Sequence, residues 1–379
     1  MMNTPAQEHI SAVEKIIGRA ELAAASSPAT ATGWIHCSPT ADITVPMSAS
    51  DRGTAAKLTR DTLVAAGVRS DDRVVVALNN DGEPAGALIA GAAADVAAAV
   101  VNTGARGRMR LVKVIETVRA NVLVITPTGA ADLLARLHME FLADPLDLEL
   151  RLLVLTGEIA DAKTARHLAT EFGADVVNVF TDPVTSVPVA HHSNGSLVPT
   201  APTQLTLVQL DSEKPLDPAD TATLGEVVVR HEWHEKLSGV AVRTGYLARY
   251  GEDGRIQAPE HTAGDHILVR GRWLSIPNLT AALRRIDGIT QWRLEVSRRG
   301  TLDATTLTVS FNRDSLVGNP MWRGRVEQAL SALTPVSIAV TVDPTVREEP
   351  AAPVIADHRG HHLGERATVT TNSAQSHAG

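Results

Sequence analysis

The sequence predicts an α/β protein with a large N-terminal domain and a small α+β C-terminal domain. The large domain is read as a parallel sheet with an added antiparallel β portion. Three features lead there. Short, wholly apolar strands alternate with helices over residues 72–180, the pattern of a parallel sheet covered on both faces. Past residue 185 the helices drop out and strands follow strands. From residue 266 a ββαββαβ order begins, which reads as a separate unit.

Taken in order, residues 9–25 are predicted as a helix, with Ile10, Val13, Ile16, Ile17 and Leu22 on one face. Residues 26–33, rich in Ser, Pro, Ala and Thr, read as a linker. "DRVVVAL" (72–78) is a buried strand, and "PAGALIAGAAADVAAAVV" (84–101) a small-residue helix running into a strand. A helix over 107–119, the strand "NVLVIT" (121–126) and a helix over 128–142 follow. "RLLVLT" (151–156) is a strand, "DAKTARHLATEFG" (161–173) a helix closed by Gly173, and "ADVVNVF" (174–180) the next strand. Then come "SLVPT", "QLTLVQL", "GEVVVRHEW" and "AVRTGYLARY". The small unit comprises "HILVRGRWLSI", a helix (278–286), "WRLEVSR", "TTLTVSF", a helix (321–333) and "VSIAVTV". Residues 361–379 are polar and read as a disordered tail. The expected division is therefore helix and linker (1–30), large domain (31–265), small domain (266–360) and tail.

Composition excludes several functions. A net charge of −8 gives no basic footprint for nucleic acid. No run reaches the roughly 18–20 apolar residues of a membrane span, and no basic segment followed by an apolar block marks secretion. The expectation is a cytoplasmic protein. The single cysteine, Cys37, leaves no disulfide framework and no Cys-based zinc cluster. "RHEWHEK" (230–236) lacks the spacing of a metal-binding helix, so no metal site is expected.

Several stretches, in this order, resemble the adenylate-forming superfamily, most closely its phenylacetate–CoA ligase branch. They are "LVAAGVRSDDRVVVAL", "ANVLVITPTGAADLLARL", "LLVLTGEIADAKTARHLATEFGADVVNVF" and "GDHILVRGRWLSIPNLTAALRRIDGI". The resemblance runs from Trp34 to Gly360 and implies a mobile small domain hinged at Asp265. It also implies an ATP site, and there the sequence departs. The phosphate loop is replaced by "HCSPTADITVP" (36–46), with no glycine or lysine and with Asp42 repelling phosphate. Val184 stands at the position of the magnesium-binding glutamate. Tyr246 stands at the ribose-clamping aspartate and Thr262 at a second ribose contact. Ala351 lies where the adenylation lysine is expected, and no lysine occurs from Val346 onward. Each lost group removes a charge-assisted hydrogen bond of about 1.5–3 kcal/mol. Neither ATP nor magnesium is expected as a cofactor.

Candidate chemistry lies in what remains. Cys37 could accept an acyl group, although His36, its neighbour on a strand, points to the opposite face and is a poor base for it. His191 and His192 follow the old glutamate strand. Glu158 and Asp182 flank the implied nucleotide pocket and could serve as acid or base if desolvated. Asn80, Asp81, Thr181, Arg243 and Tyr246 are candidate pocket residues. Alternative readings of the same residues are a buried inert thiol, a solvated hairpin for the histidines, helix or loop capping for the two acids and a plain turn for Asn80–Asp81. The function expected is an ATP-independent enzyme acting on an acyl or aryl ester or thioester. CoA or phosphopantetheine would enter as part of the substrate, and the reaction would be hydrolysis, acyl transfer or cyclisation. The alternatives are a non-catalytic partner of an acyl carrier protein or of a ligase, and a residual ATP-dependent ligase. A homodimer is one open assembly.

Overall fold

The structure is a computed structural model and describes residues 15–25, 34–37, 43–80 and 86–370. Its largest sheet has seven strands, in the order Ser196–Pro199, Pro188–Ser193, Asp175–Thr181, Leu152–Thr156, Val122–Ile125, Arg73–Ala77 and Ala99–Asn102. The last five are parallel. The first two add on antiparallel through a turn in which Asn194 and Gly195 both have positive φ (51° and 80°), the geometry Asn-Gly favours in a two-residue hairpin. The parallel strands are apolar throughout because both faces are covered. Leu111, Ile115, Leu133, Leu168 and Phe172 pack on one face, and Leu63, Ile89, Ala90 and Ala93 on the other. The alanine-rich helix Gly86–Ala94 is small enough to lie close against Ala49–Ala65.

A second sheet is mostly antiparallel, in the order Lys15–Ile17, Val240–Ala248, Gly225–Arg230, Leu205–Val208, with His261–Thr262 also on Val240–Ala248. Beyond it, the hairpin His266–Val269 and Arg272–Ser275 leads into helix Ile276–Leu283 and a four-stranded sheet. That sheet runs Ile338–Val342, Leu302–Phe311, Ile289–Arg299, Val354–Asp357, with helix Pro320–Leu333 upon it. These elements close around their own core, which includes Leu279, Trp292, Leu307, Phe311 and Val326.

Two readings are corrected. Over residues 15–25 the expected helix is a strand, Lys15–Ile17, followed by a short helix, Arg19–Ala25. The β-branched pair Ile16–Ile17 adds to the edge of Val240–Ala248 in parallel, and Gly18 separates the two elements. Residues 9–14 and the linker lie outside the described residues. Nor are residues 361–370 disordered. The amide of Thr262 donates to the His361 carbonyl (2.7 Å), that of Leu363 to Thr262 (2.9 Å) and that of Gly264 to Gly364 (2.9 Å). Arg366 then grips the fully buried Glu226 with Nε and Nη2, at 2.7 and 2.8 Å. Val369 packs with Leu210, Leu247 and Ala263. Polar composition misled because the segment is held by backbone and charge rather than by an apolar face. Residues 371–379 lie outside the described residues. No helix among the described residues is long and apolar enough to cross a membrane.

Candidate active site

Glu158 follows strand Leu152–Thr156 through Gly157, whose φ of 85° turns the chain back. Its carboxylate accepts from the Thr128 amide (2.8 Å) and hydroxyl (2.7 Å) at the first turn of helix Pro127–Arg136. An acid there is favoured by the helix dipole. Glu158 is half-buried, and desolvation outweighs those hydrogen bonds, pushing its carboxyl up to about 7. The Asp303 carboxylate adds to the rise, and Arg298 opposes it. Both lie on the four-stranded sheet, Arg298 in strand Ile289–Arg299 and Asp303 in Leu302–Phe311. The hairpin turn at Arg270–Gly271 sits against the same place. A Cβ on Gly271 would lie 3.5 Å from the Gly157 carbonyl and 3.8 Å from the Glu158 side chain.

The crevice beside Glu158 is lined by Asn178, Phe180, Thr181, His192, Tyr246 and Pro259. Its open volume is about 20 Å³, room for about one water, against the roughly 300–1,000 Å³ of small-molecule pockets. Aromatic packing closes it. The Tyr246 ring meets Phe180 edge-on (5.3 Å between centroids) and Trp273 edge-on (5.1 Å), and Tyr246 is only 6% exposed. Gly245, at φ 84°, lets Trp273 in, since a Cβ there would stand 3.2 Å from the indole. Arg19 caps that indole from 4.2 Å.

The other candidates are dispersed. His192 lines the crevice, and burial, with His191 beside it, depresses its imidazole to about 4, so it is neutral at pH 7. His191 is also lowered by burial. The Thr181 hydroxyl bonds Thr156 at 2.7 Å. Asp182 is fully buried, and burial works against its charge. Four donors nevertheless hold its carboxyl below the usual range: His231 Nε2 (2.8 Å), the Thr185 hydroxyl, and the Val184 and Thr185 amides. It anchors a turn. Arg243 serves Glu226 (2.6 Å) and two backbone carbonyls, and does not line the crevice. Asn80 bonds Asn102 at a strand end. Asp81 and Asp42 lie outside the described residues. Asp265 is held down to about 2, chiefly by a hydrogen bond from His266 (2.9 Å).

Cys37 is exposed on the hairpin Trp34–Cys37 and Thr44–Met47. His36 turns inward instead, placing Nε2 3.1 Å from the Ser186 hydroxyl, and burial lowers its imidazole. Ser186 went unnoticed in the sequence. It is fully buried with φ 58°, and "TDPVTS" signals a turn but not which residue takes the left-handed conformation. Thr128 and Trp273 were missed because their contacts span long sequence separations.

No family model matches the chain, and no curated protein matches it. Solved structures do. A 2-hydroxyisobutyryl-CoA ligase with 2-HIB-AMP and CoA, in the thioesterification state, aligns over 95% of this chain and 82% of its own, with a TM-score of 0.76 and 16% identity. The same ligase in its postadenylation state scores 0.57 over the same shares, also at 16% identity. The amide bond synthetase McbA from Marinactinospora thermotolerans scores 0.64 at 17% identity, over 90% of this chain and 68% of its own. The fold of this chain is therefore that of the adenylate-forming ligases and amide synthetases.

Proposed function

We propose that this protein works without ATP, as an acid–base catalyst on an acyl or aryl thioester carried by CoA or by a carrier protein. The observation that carries the reading is the packing of Tyr246 between Phe180 and Trp273. Where the resemblance implies a nucleotide, these residues do not fit one. Glu158 supplies what is left. A carboxyl near 7 is half ionised at neutral pH, the condition under which a general base both accepts and returns a proton well. Hydrolysis, acyl transfer and cyclisation each begin when a nucleophile loses a proton. In hydrolysis, the single water that the crevice admits adds to the carbonyl of a thioester presented at the crevice mouth, outside it, while Glu158 takes the water's proton. The C–S bond then breaks and the proton returns to the departing thiolate, giving acid and thiol.

The test is release of free thiol from a panel of acyl- and aryl-CoA and carrier-protein thioesters. The reading expects turnover by the parent chain and by Cys37→Ala, with loss of about 10²-fold or more in Glu158→Gln. Full activity in Glu158→Gln, or none in Cys37→Ala, would move the chemistry elsewhere. A second reading, a non-catalytic partner of a carrier protein or ligase, is favoured by the bonds of residues 361–366 across the hinge. It expects complex formation with no thiol released by any variant.

A further inference from the structure

We propose, building on the acid–base role of Glu158, that the crevice beside it fixes one water as the acyl acceptor. Asn178 and His192 are the positioning residues for that water, and the reaction is hydrolysis rather than acyl transfer or cyclisation. The open volume of about 20 Å³ holds one water and leaves no room for the carbon chain of an alcohol, amine or thiol.

The walls supply the partners such a water needs. Strand Asp175–Thr181 lies between Leu152–Thr156 and Pro188–Ser193. Asn178 pairs with Leu155 on one side, and the next residue, Val179, pairs with His191 on the other. Asn178 and His192 both line the crevice with Glu158. The Thr181 hydroxyl is engaged by Thr156 at 2.7 Å, whereas no side-chain hydrogen bond within the described residues engages Asn178 or His192. Asn178 Oδ1 is also buried. A buried acceptor left without a donor is costly, and an enclosed water is its usual partner.

Hydrogen-bond capacity then selects the acceptor. The Glu158 carboxylate takes the Thr128 amide and hydroxyl at 2.8 and 2.7 Å, and each oxygen keeps a second lone pair. One hydrogen of the water goes to Glu158 and the other to Asn178 Oδ1. His192, neutral at pH 7, has one ring N–H to give to a lone pair of the water. The other lone pair is left for the thioester carbonyl at the crevice mouth. As the new C–O bond forms, Glu158 takes the first proton; the C–S bond then breaks and the proton passes to the thiolate. An alcohol or thiol has one hydrogen to give where the walls present two acceptors. An amine has enough hydrogens, but its carbon has no space.

The experiment has two arms. A crystal structure of the full chain, at a resolution that shows ordered solvent, is expected to hold one water within about 3.2 Å of Glu158, Asn178 Oδ1 and a His192 ring nitrogen. The panel of CoA and carrier-protein thioesters is then run in buffer containing methanol, with acid and methyl ester separated by mass spectrometry. The parent chain is expected to give acid alone. Asn178→Leu, similar in size but without the acceptor, is expected to melt as the parent does and to lose about tenfold in kcat with KM unchanged. Asn178→Ala, which enlarges the crevice, is expected to yield methyl ester beside the acid, a change that a purely structural role would not produce. Thiol release without the ordered water, methyl ester from the parent, or parent-like kcat in folded Asn178→Leu would overturn the water site and leave Glu158 as the base. The water in place with no thiol released from any thioester would overturn base and acceptor together.

Discussion

Tyr246 is tied into the core by two edge-on aromatic contacts. Tyr246→Ala is expected to cost about 3–5 kcal/mol, the usual range for emptying a large aromatic site, measured by urea unfolding. Tyr246→Asp should lose at least as much, because it buries a carboxylate beside Phe180 and Trp273, and should gain no ATP binding by calorimetry. Glu158 shifts stability with pH. Its folded value of about 7 exceeds the ordinary 4.5, so the folded chain holds the proton more tightly. The stabilisation is full below about 4.5 and falls away as pH rises towards 7. Glu158→Gln should flatten that slope and exceed the parent at about pH 8 by about 1–3 kcal/mol, in urea unfolding at about pH 5 and 8. Tyr246 stood out in the sequence because it follows "VRTG" at the position where the resemblance implies an aspartate. Trp273 did not, since nothing local says that an indole from the small domain's first hairpin fills the space over Gly245.

Among the elements, the parallel strands were legible because a sheet covered on both faces leaves near-continuous apolar runs such as "VVVAL" and "LLVL". The segment 361–370 was not. Its anchors are Thr262, Gly264 and Glu226, nearly a hundred residues or more back in the chain. The same blindness turned Lys15–Ile17 into a helix, for its strand partner is Val240–Val242. The returning segment has a mechanical consequence. Arg359 ties Asp303, Asp357 and the Leu268 carbonyl together, and Arg366 then reaches Glu226 in strand Gly225–Arg230. Deleting residues 361–379 is expected to loosen the two domains, visible as a larger radius of gyration in small-angle scattering. An unchanged radius would mean that the hairpin at Gly271 alone sets the arrangement. Arg366→Ala should cost about 1–3 kcal/mol, less than loss of both partners, since Arg243 still neutralises Glu226.

At the scale of the whole molecule, the ligase-like fold, the closed crevice at Glu158 and the returning segment 361–366 all support the ATP-independent reading. The chain aligns better with one state of the 2-hydroxyisobutyryl-CoA ligase than with another, 0.76 against 0.57, and residues 361–366 bond back to Thr262, Gly264 and Glu226. An enzyme that first adenylates and then transfers needs both a nucleotide pocket and freedom at the hinge. On the proposed reading, Tyr246 packs between Phe180 and Trp273 where a nucleotide would lie, and residues 361–366 bond back to Thr262, Gly264 and Glu226. The most direct measurement is carboxylate-dependent exchange of labelled pyrophosphate into ATP, with magnesium, across a broad panel of aryl and aliphatic acids. The expected result is no exchange above the acid-free control for any acid, in the parent chain and in Tyr246→Asp alike. Robust exchange with even one acid would contradict the account and establish the chain as a working adenylating ligase.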